Sequence, residues 1–400
     1  MNKRIVITGM GAVTPVGIGT ENYWNGLIHG ECGIDTITRI DTSALPVTKA
    51  AEIKNYVPRN YLPSRLVADL DTFMQYAYIS AEEAIRQSEL RFDLPRTGIV
   101  MGTALAGLAL TGNTQEALAV DGKNVSPKFL SKIMGNIAAA QLSISYGIKG
   151  PSFTVSTACS SGGDAIAMAA MLLEADAADA MVVMAGESAI SPLLIQSLYK
   201  SGALSKSGQS RPFDKSRDGF VIGEGGGALI LETEENALRR GAEVQAELLG
   251  YANNTDAYNP VAPEPDGGGA AACIRLALKK AGLAPEDVGY INAHGTATVA
   301  GDIAESKAIR AVFGALDVPI SSTKGATGHM MGAGGITETI ACIKAIQTGV
   351  LPPTIHCEEV DGNCDIHVIC DFPAEKHICV AMSNALGFGG QNSSIVLKKY

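Results

Sequence analysis

Tryptophan occurs once in this 400-residue chain, aromatic residues make up 5%, and charged residues reach only 18%. So little charge beside 46% hydrophobic residues excludes a disordered chain and implies an ample core, enough for one large domain or two of ordinary size. Positive charge is also short. The formal net charge is −10, which excludes nucleic-acid binding through a broad basic face but leaves room for a small basic patch facing an acidic partner. Long apolar runs are missing: none approaches the roughly 20 residues of a membrane span, so no membrane partner is expected. No secretory leader is expected either, since Met1-Asn2-Lys3-Arg4 runs straight into a strand-like segment. Eight cysteines are too few for a disulfide framework, and a reducing cytoplasm is the expected compartment. Zinc spacings are absent. His356, Cys357, Cys364, His367, Cys370, His377 and Cys379 follow no metal pattern, and no metal is expected. Gly9-Met10-Gly11 invites a dinucleotide-loop reading, but Thr14 stands where the third glycine belongs.

What the chain has in quantity is glycine, 45 residues, much of it at the ends of apolar runs. Strand-like and helix-like segments alternate throughout, which gives an α/β class with largely buried sheets. The run Ser152 to Ala158 reads as a buried strand, followed by an alanine-rich helix from Gly163 to Ala178. Leu66 to Ser88 has helical spacing with an apolar stripe. Near Ala242 the alternation begins again. Val182 to Glu187 and Val380 to Gly387 are matching apolar strands that end in polar, glycine-rich turns. An internal duplication follows, with halves at 1–242 and 243–400.

Chemistry concentrates at four strand ends. Cys159 lies in Val155-Ser156-Thr157-Ala158-Cys159-Ser160-Ser161-Gly162-Gly163, where a strand hands over to a helix. Unpaired N–H groups and the helix dipole favour a thiolate at such a joint, although a structural cysteine is the plain alternative. The others are Asn292-Ala293-His294-Gly295-Thr296-Ala297-Thr298, the stretch Ser321 to His329 containing Lys324, and the loop Ser383 to Asn392. Sites in α/β sheets collect at strand C-termini, so one pocket can gather all four. A thiolate, two imidazoles and a lysine suit acyl transfer: sulfur attacks a thioester carbonyl while N–H donors hold the oxyanion.

The ordered set TACSSG, AHGTAT, KGATGHMMGAGG and NALGFGG, within a match running from IVITGMGAVTPVG to GFGGQNSSIVLKK, resembles the β-ketoacyl-acyl carrier protein synthases, type II, of the thiolase superfamily. The resemblance implies a thiolase-like layered αβαβα fold built from two duplicated halves. The implied reaction is decarboxylative condensation of an acyl thioester with malonyl-acyl carrier protein. Cys159 resembles the nucleophile, and His294 and His329 the pair that promotes decarboxylation as neutral N–H donors. Lys324 resembles the lysine that holds them, with Glu338 and Asn384 in support. Backbone N–H groups of Cys159 and Phe388 would form the oxyanion hole. Thr296 and Thr298 match hydroxyls that bind the phosphopantetheine arm. Gly387, Gly389, Gly390 and Asp256 match two gating loops, and Leu108 and Leu198 fall on the acyl tunnel.

No cofactor is implied beyond the carrier's arm. The implied partner is acyl carrier protein, in a homodimer or in a heterodimer with a non-catalytic partner of specialised polyketide systems. Three departures bear on this. Val299 replaces a common proline. Ser64 to Asp71 keeps Arg65 but lacks the basic cluster that grips carrier protein, leaving Arg59, Lys123, Lys128, Lys132, Lys200 and Lys206 as substitutes. Leu198 stands where phenylalanine is frequent, which puts chain length and saturation in question. The paired histidines argue against a non-decarboxylating thiolase, and Cys159 argues against a non-catalytic chain-length factor.

Overall fold

The computed structural model describes residues 3–90, 92–122 and 124–400. The first half runs β1 (Ile5–Thr14), α1 (Thr72–Ser88), β2 (Thr97–Gly102), α2 (Leu108–Asp121), β3 (Ser152–Val155), α3 (Ser161–Glu174), β4 (Ala180–Glu187) and β5 (Gly225–Thr233). The second runs β6 (Ala246–Thr255), α4 (Gly268–Ala281), β7 (Tyr290–Asn292), α5 (Val299–Phe313), β8 (Ile320–Ser321), α6 (Gly334–Thr348), β9 (Val380–Gly387) and β10 (Gln391–Lys398).

These strands join in the order β8-β7-β9-β10-β6-β1-β5-β4-β2-β3. Read outward from the β1–β6 junction, each half repeats the same order: first strand, fifth, fourth, second, third. The senses repeat too. β2 runs parallel to β3 and β4, with β5 antiparallel; β7 runs parallel to β8 and β9, with β10 antiparallel. The duplication that two matching strand ends hinted at in the sequence is thus written into the whole topology.

Helices α3 and α6 pack against each other between the half-sheets, α1 covers the outer face of the first half and α4 that of the second. This is the αβαβα layering of the thiolase fold. Strand β4 shows why its sequence is apolar throughout. Met181, Val183 and Ala185 face the central core with α3 and α6, while Val182 and Met184 face α1. Both faces are covered, so the period-two alternation disappears.

The central helices approach closely at their N-terminal ends. A Cβ on Gly162 would lie 2.8 Å from the Gly332 carbonyl oxygen, and one on Gly335 would lie 2.6 Å from the Gly163 nitrogen. Only glycine permits this crossing. It sets Cys159, two residues before α3, beside His329, five residues before α6.

Two segments differ from expectation. The helical spacing over Leu66 to Ser88 is divided between a short helix, Ser64–Asp69, and α1, with Asp71 extended between them. The expected buried strand from Ser152 to Ala158 is regular only over Ser152–Val155, and it is the uncovered edge of the sheet, with Phe153 49% exposed. Its counterpart β8 is covered: Ile320 donates to the His367 carbonyl at 2.9 Å and accepts from Ile369 at 2.8 Å. Among the described residues no helix is long and apolar enough to cross a membrane.

Candidate active site

Cys159 follows Ala158, which takes a left-handed φ of 51°. That conformation is uncommon for a residue with a side chain, and here it forms the sharp turn between β3 and α3. The Nε2 of His329 lies 3.0 Å from Cys159 Sγ. The rings of His294 and His329 stand edge to face, centroids 5.3 Å apart, and the Phe220 ring packs edge-on against His329 at 5.2 Å. Sulfur and both imidazoles therefore meet, although 170 residues separate Cys159 from His329 in the chain.

Each partner is held from behind. His294 and Gly295 donate their backbone N–H groups to the two carboxylate oxygens of Glu305, both at 2.7 Å. Lys324 is ion-paired with Glu338 of α6, and their side chains are 1% and 3% exposed. A buried pair of this kind fixes geometry more than it adds stability. Glu187, at the end of β4, accepts from the Thr103 hydroxyl at 2.9 Å and from the backbone of Ala104 and Leu105, anchoring the loop that borders Cys159.

Burial governs the titrations. It holds His294 and His329 well below the usual imidazole range, and the Lys324 ammonium lowers both further. Both rings are neutral at pH 7. Burial pushes the Cys159 thiol up to about 12, against the opposing pull of Lys324 and of the Phe388 N–H, which donates to the sulfur. The thiolate expected from the helix N-terminus is thus not the resting state. Desolvation exceeds the dipole, and His329 provides the nearby base. Burial also raises Glu338 against Lys324, and brings Glu187 and Glu305 to about 7 and Asp302 to about 6.

The cavity over these groups measures about 460 Å³, and Cys159, His294, His329, Thr296, Thr298, Asp256, Leu198, Gly387 and Phe388 all contribute to its wall. The Thr296 and Thr298 hydroxyls are 3.0 Å apart. The two loops named as gates meet: Asp256 N–H donates to the Gly390 carbonyl at 2.8 Å, Gly389 N–H to Pro260 at 2.8 Å, and Asn392 Nδ2 reaches Asp256 Oδ1 at 2.7 Å. Gly389 and Gly390 have φ of 86° and 69°, which glycine alone takes readily. A Cβ on Gly387 would sit 3.1 Å from the Cys159 nitrogen, so this loop closes directly over the nucleophile.

Leu108 stands off the wall, in the apolar cluster that also holds Leu198 and Cys159. Asn384 is buried away from the cavity and accepts from Ser394 Oγ at 2.8 Å.

Among the basic candidates, Lys128 and Arg65 share the Asp69 carboxylate. Lys200 adjoins and Lys206 follows the cavity-lining segment Ser201–Ala203, and Lys123 lies outside the described residues. Of the late His/Cys series, Cys357 and Cys364 enter the second-half core and Cys370 packs against it, hydrogen-bonded to Cys357, while His367 pairs with Asp317 at 2.7 Å and Cys379 is exposed.

Sequence reasoning missed Glu305, Asn392 and Phe220. The signal for Glu305 was an acidic residue nearly two turns inside the helix that follows AHGTAT. The other two act through loop contacts that have no periodicity.

A thiol, two neutral imidazoles and an apolar cavity on a duplicated αβαβα scaffold define a condensing acyltransferase. The chain belongs to the β-ketoacyl synthase family: residues 2–237 match the N-terminal and residues 245–358 the C-terminal β-ketoacyl synthase domain. It is 40% identical to 3-oxoacyl-[acyl-carrier-protein] synthase 2 of Synechocystis sp., over all of this chain and 98% of that protein. Among solved structures, it superposes on the ishigamide ketosynthase/chain length factor with TM-score 0.94 and 31% identity, covering both chains fully. It also superposes on AntDE:AntF, a type II polyketide acyl-carrier protein in complex with its ketosynthase, with TM-score 0.89 and 31% identity, again over both full chains.

Proposed function

We propose that the chain catalyses decarboxylative Claisen condensation between an acyl group carried on Cys159 and malonyl-acyl carrier protein, releasing CO₂ and a β-ketoacyl-acyl carrier protein in chain elongation. The observation that carries this reading is the meeting of Cys159, His294 and His329 in one gated cavity.

The steps follow from the charges. In loading, Cys159 sulfur attacks the acyl thioester carbonyl. Its proton passes by way of His329 to the departing carrier thiolate. The oxyanion is held by the N–H groups of Cys159 and Phe388, donors of a kind worth about 10²–10³ in rate each. In condensation, malonyl thioester enters along Thr296 and Thr298, and its carboxylate leaves as CO₂. The electron pair of the broken C–C bond becomes an enolate, whose oxygen accepts N–H donors from His294 and His329. Neutral imidazoles suit this role, because they donate without first releasing a charge. The enolate carbon attacks the acyl carbonyl, the C–S bond breaks with its electron pair going to sulfur, and the released thiolate takes up one proton from solvent water. Fixing both thioesters in one cavity supplies proximity. Lys324, held by Glu338, keeps the histidines unprotonated through its charge. Gly387, Gly389, Gly390 and Asp256 open and close the entrance, Asn384 supports the loop from below, and Leu198, backed by Leu108, limits the acyl chain. The chemistry needs no cofactor beyond the carrier's phosphopantetheine arm.

We assign residues 1–242 to a half that supplies the nucleophile and 243–400 to a half that supplies the histidines and lysine; the repeated strand order supports that division. We infer a homodimer in which a second copy pairs along β3, and the open edge of that strand supports it. That edge is open where its counterpart β8 is covered, and Phe153 on it and Ile144 on the helix Ile137–Tyr146 packed against it are exposed. A second reading, a ketosynthase subunit paired with a non-catalytic chain in a specialised polyketide system, is favoured by the likeness to the ishigamide ketosynthase/chain length factor. The eight free thiols fit a reducing cytoplasm. Mass spectrometry of the peptide containing Cys159, after incubation with defined acyl-carrier proteins, tests the main reading. An acyl adduct on Cys159 is expected, and an adduct elsewhere or none refutes it.

A further inference from the structure

Folding brings one sulfur and two ring nitrogens, from Cys159, His294 and His329, within 4.8 Å of one another. It is the one such grouping of histidine, cysteine and carboxylate side chains among the described residues. We propose that these three side chains also form a binding site for a thiophilic divalent cation of the Zn²⁺ class, and that occupation blocks the free thiol.

The geometry is close to what such an ion requires. Zinc bonds thiolate sulfur at about 2.3 Å and imidazole nitrogen at about 2.0 Å, which puts sulfur and nitrogen about 3.5 Å apart in a tetrahedron. Sulfur and His329 Nε2 stand at 3.0 Å, so modest side-chain rotation opens the contact enough to seat the ion. The histidines are 8% and 2% exposed, yet the Nδ1 of each is buried without a hydrogen-bond partner. Each Nδ1 therefore has no hydrogen bond to give up, and seating a metal costs only a small shift of the rings against each other and against Phe220. All three side chains border the cavity, so water can reach a bound ion. The Lys324 ammonium, which lowers both imidazoles even though it is paired with Glu338, also opposes a cation, and the negative charge of the coordinated thiolate offsets it.

The same observations set the character of the site. Histidines that hold structural zinc donate their second N–H to a carboxylate or carbonyl, and removing that support typically costs 10–100-fold in affinity. Both supports are absent here, so binding is reversible. In the balanced step, Cys–SH plus Zn²⁺ gives Cys–S–Zn⁺ plus one proton released to solvent. A thioester on Cys159 leaves no thiolate to coordinate, so cation and acyl chain exclude each other.

The test uses Co²⁺ alone, added to the full-length unacylated protein and followed by absorption. One equivalent is expected to produce a near-ultraviolet sulfur-to-cobalt band, displaced by Zn²⁺. The band should be lost in Cys159→Ala and in wild type carrying a carbamidomethyl group on Cys159, and weakened in His294→Ala. Circular dichroism shows that each variant is folded. A band of undiminished intensity in Cys159→Ala, or no such band in wild type, overturns the proposal. The readout needs no substrate, so its failure is separate from failure of the condensation reading.

Discussion

Breaking the buried Lys324–Glu338 pair from either side should destabilise the protein, and the two breaks should respond to pH in opposite directions. Both side chains are almost fully buried, at 1% and 3% exposure, so solvent screening offers little relief. The penalty for stranding either charge is capped by the cost of neutralising it. At pH 7 that is about 3.7 kcal/mol for a carboxylate of ordinary pKa near 4.3, and about 4.6 kcal/mol for an ordinary ammonium. For 400 residues the unfolding entropy is about 0.8 kcal/mol per degree, so each variant should lose roughly 4–6 °C in Tm.

The signs follow from linkage. In Lys324→Met, Glu338, already raised by burial, rises further above its unfolded value. Its penalty is absent below the unfolded pKa and grows as pH rises, so Tm relative to wild type should improve from pH 7 to pH 5. In Glu338→Gln the stranded group is an ammonium, which is neutralised more cheaply as pH rises, so relative Tm should improve from pH 7 to pH 9. The double variant Lys324→Met/Glu338→Gln strands no charge and should melt above either single variant. Differential scanning fluorimetry at three pH values decides the matter. Parallel pH trends in the two single variants would refute the claim that each of these buried charges is balanced chiefly by the other.

Gly387→Ala would place a methyl 2.9 Å from the Thr157 oxygen and 3.1 Å from the Cys159 nitrogen; condensation should fall by about 10²–10³ with Tm changed little, and unaltered turnover would remove this loop from the oxyanion site. With its thiol held up at about 12, free Cys159 should alkylate with iodoacetamide at a rate still climbing about tenfold per unit above pH 9, and a plateau near pH 8 would show a low-pKa thiolate instead. Asn392→Ala removes the 2.7 Å tie to Asp256, a bond worth about 1 kcal/mol, and should raise KM for the malonyl carrier several-fold while leaving the extent of acyl loading intact; an unchanged KM counts against a gate.

The sequence made some of this legible and hid the rest for identifiable reasons. Strand ends were legible because buried parallel strands are continuous apolar runs, so Thr97–Gly102 and Ala180–Glu187 are marked by composition alone. The four reactive stretches stood out because each places a reactive or glycine-rich segment after such a run. The state of Cys159 was not legible: its helix N-terminus is local, but its desolvation comes from a loop at Gly387 and a histidine on the other half. Nor was the open edge at β3. Phe153 and Val155 have the same hydropathy whether a neighbouring strand or a second chain covers them. The duplication showed faintly in two strand termini and fully only in the repeated pairing order, which pairing partners define and composition does not.

Release of CO₂ from malonyl-acyl carrier protein, measured side by side in wild type, Cys159→Ala, His294→Ala and His329→Ala, tests the central claim most directly. The account predicts that the cysteine variant still releases CO₂ while both histidine variants lose that activity by at least about 10². CO₂ release at the wild-type rate in either histidine variant would contradict it.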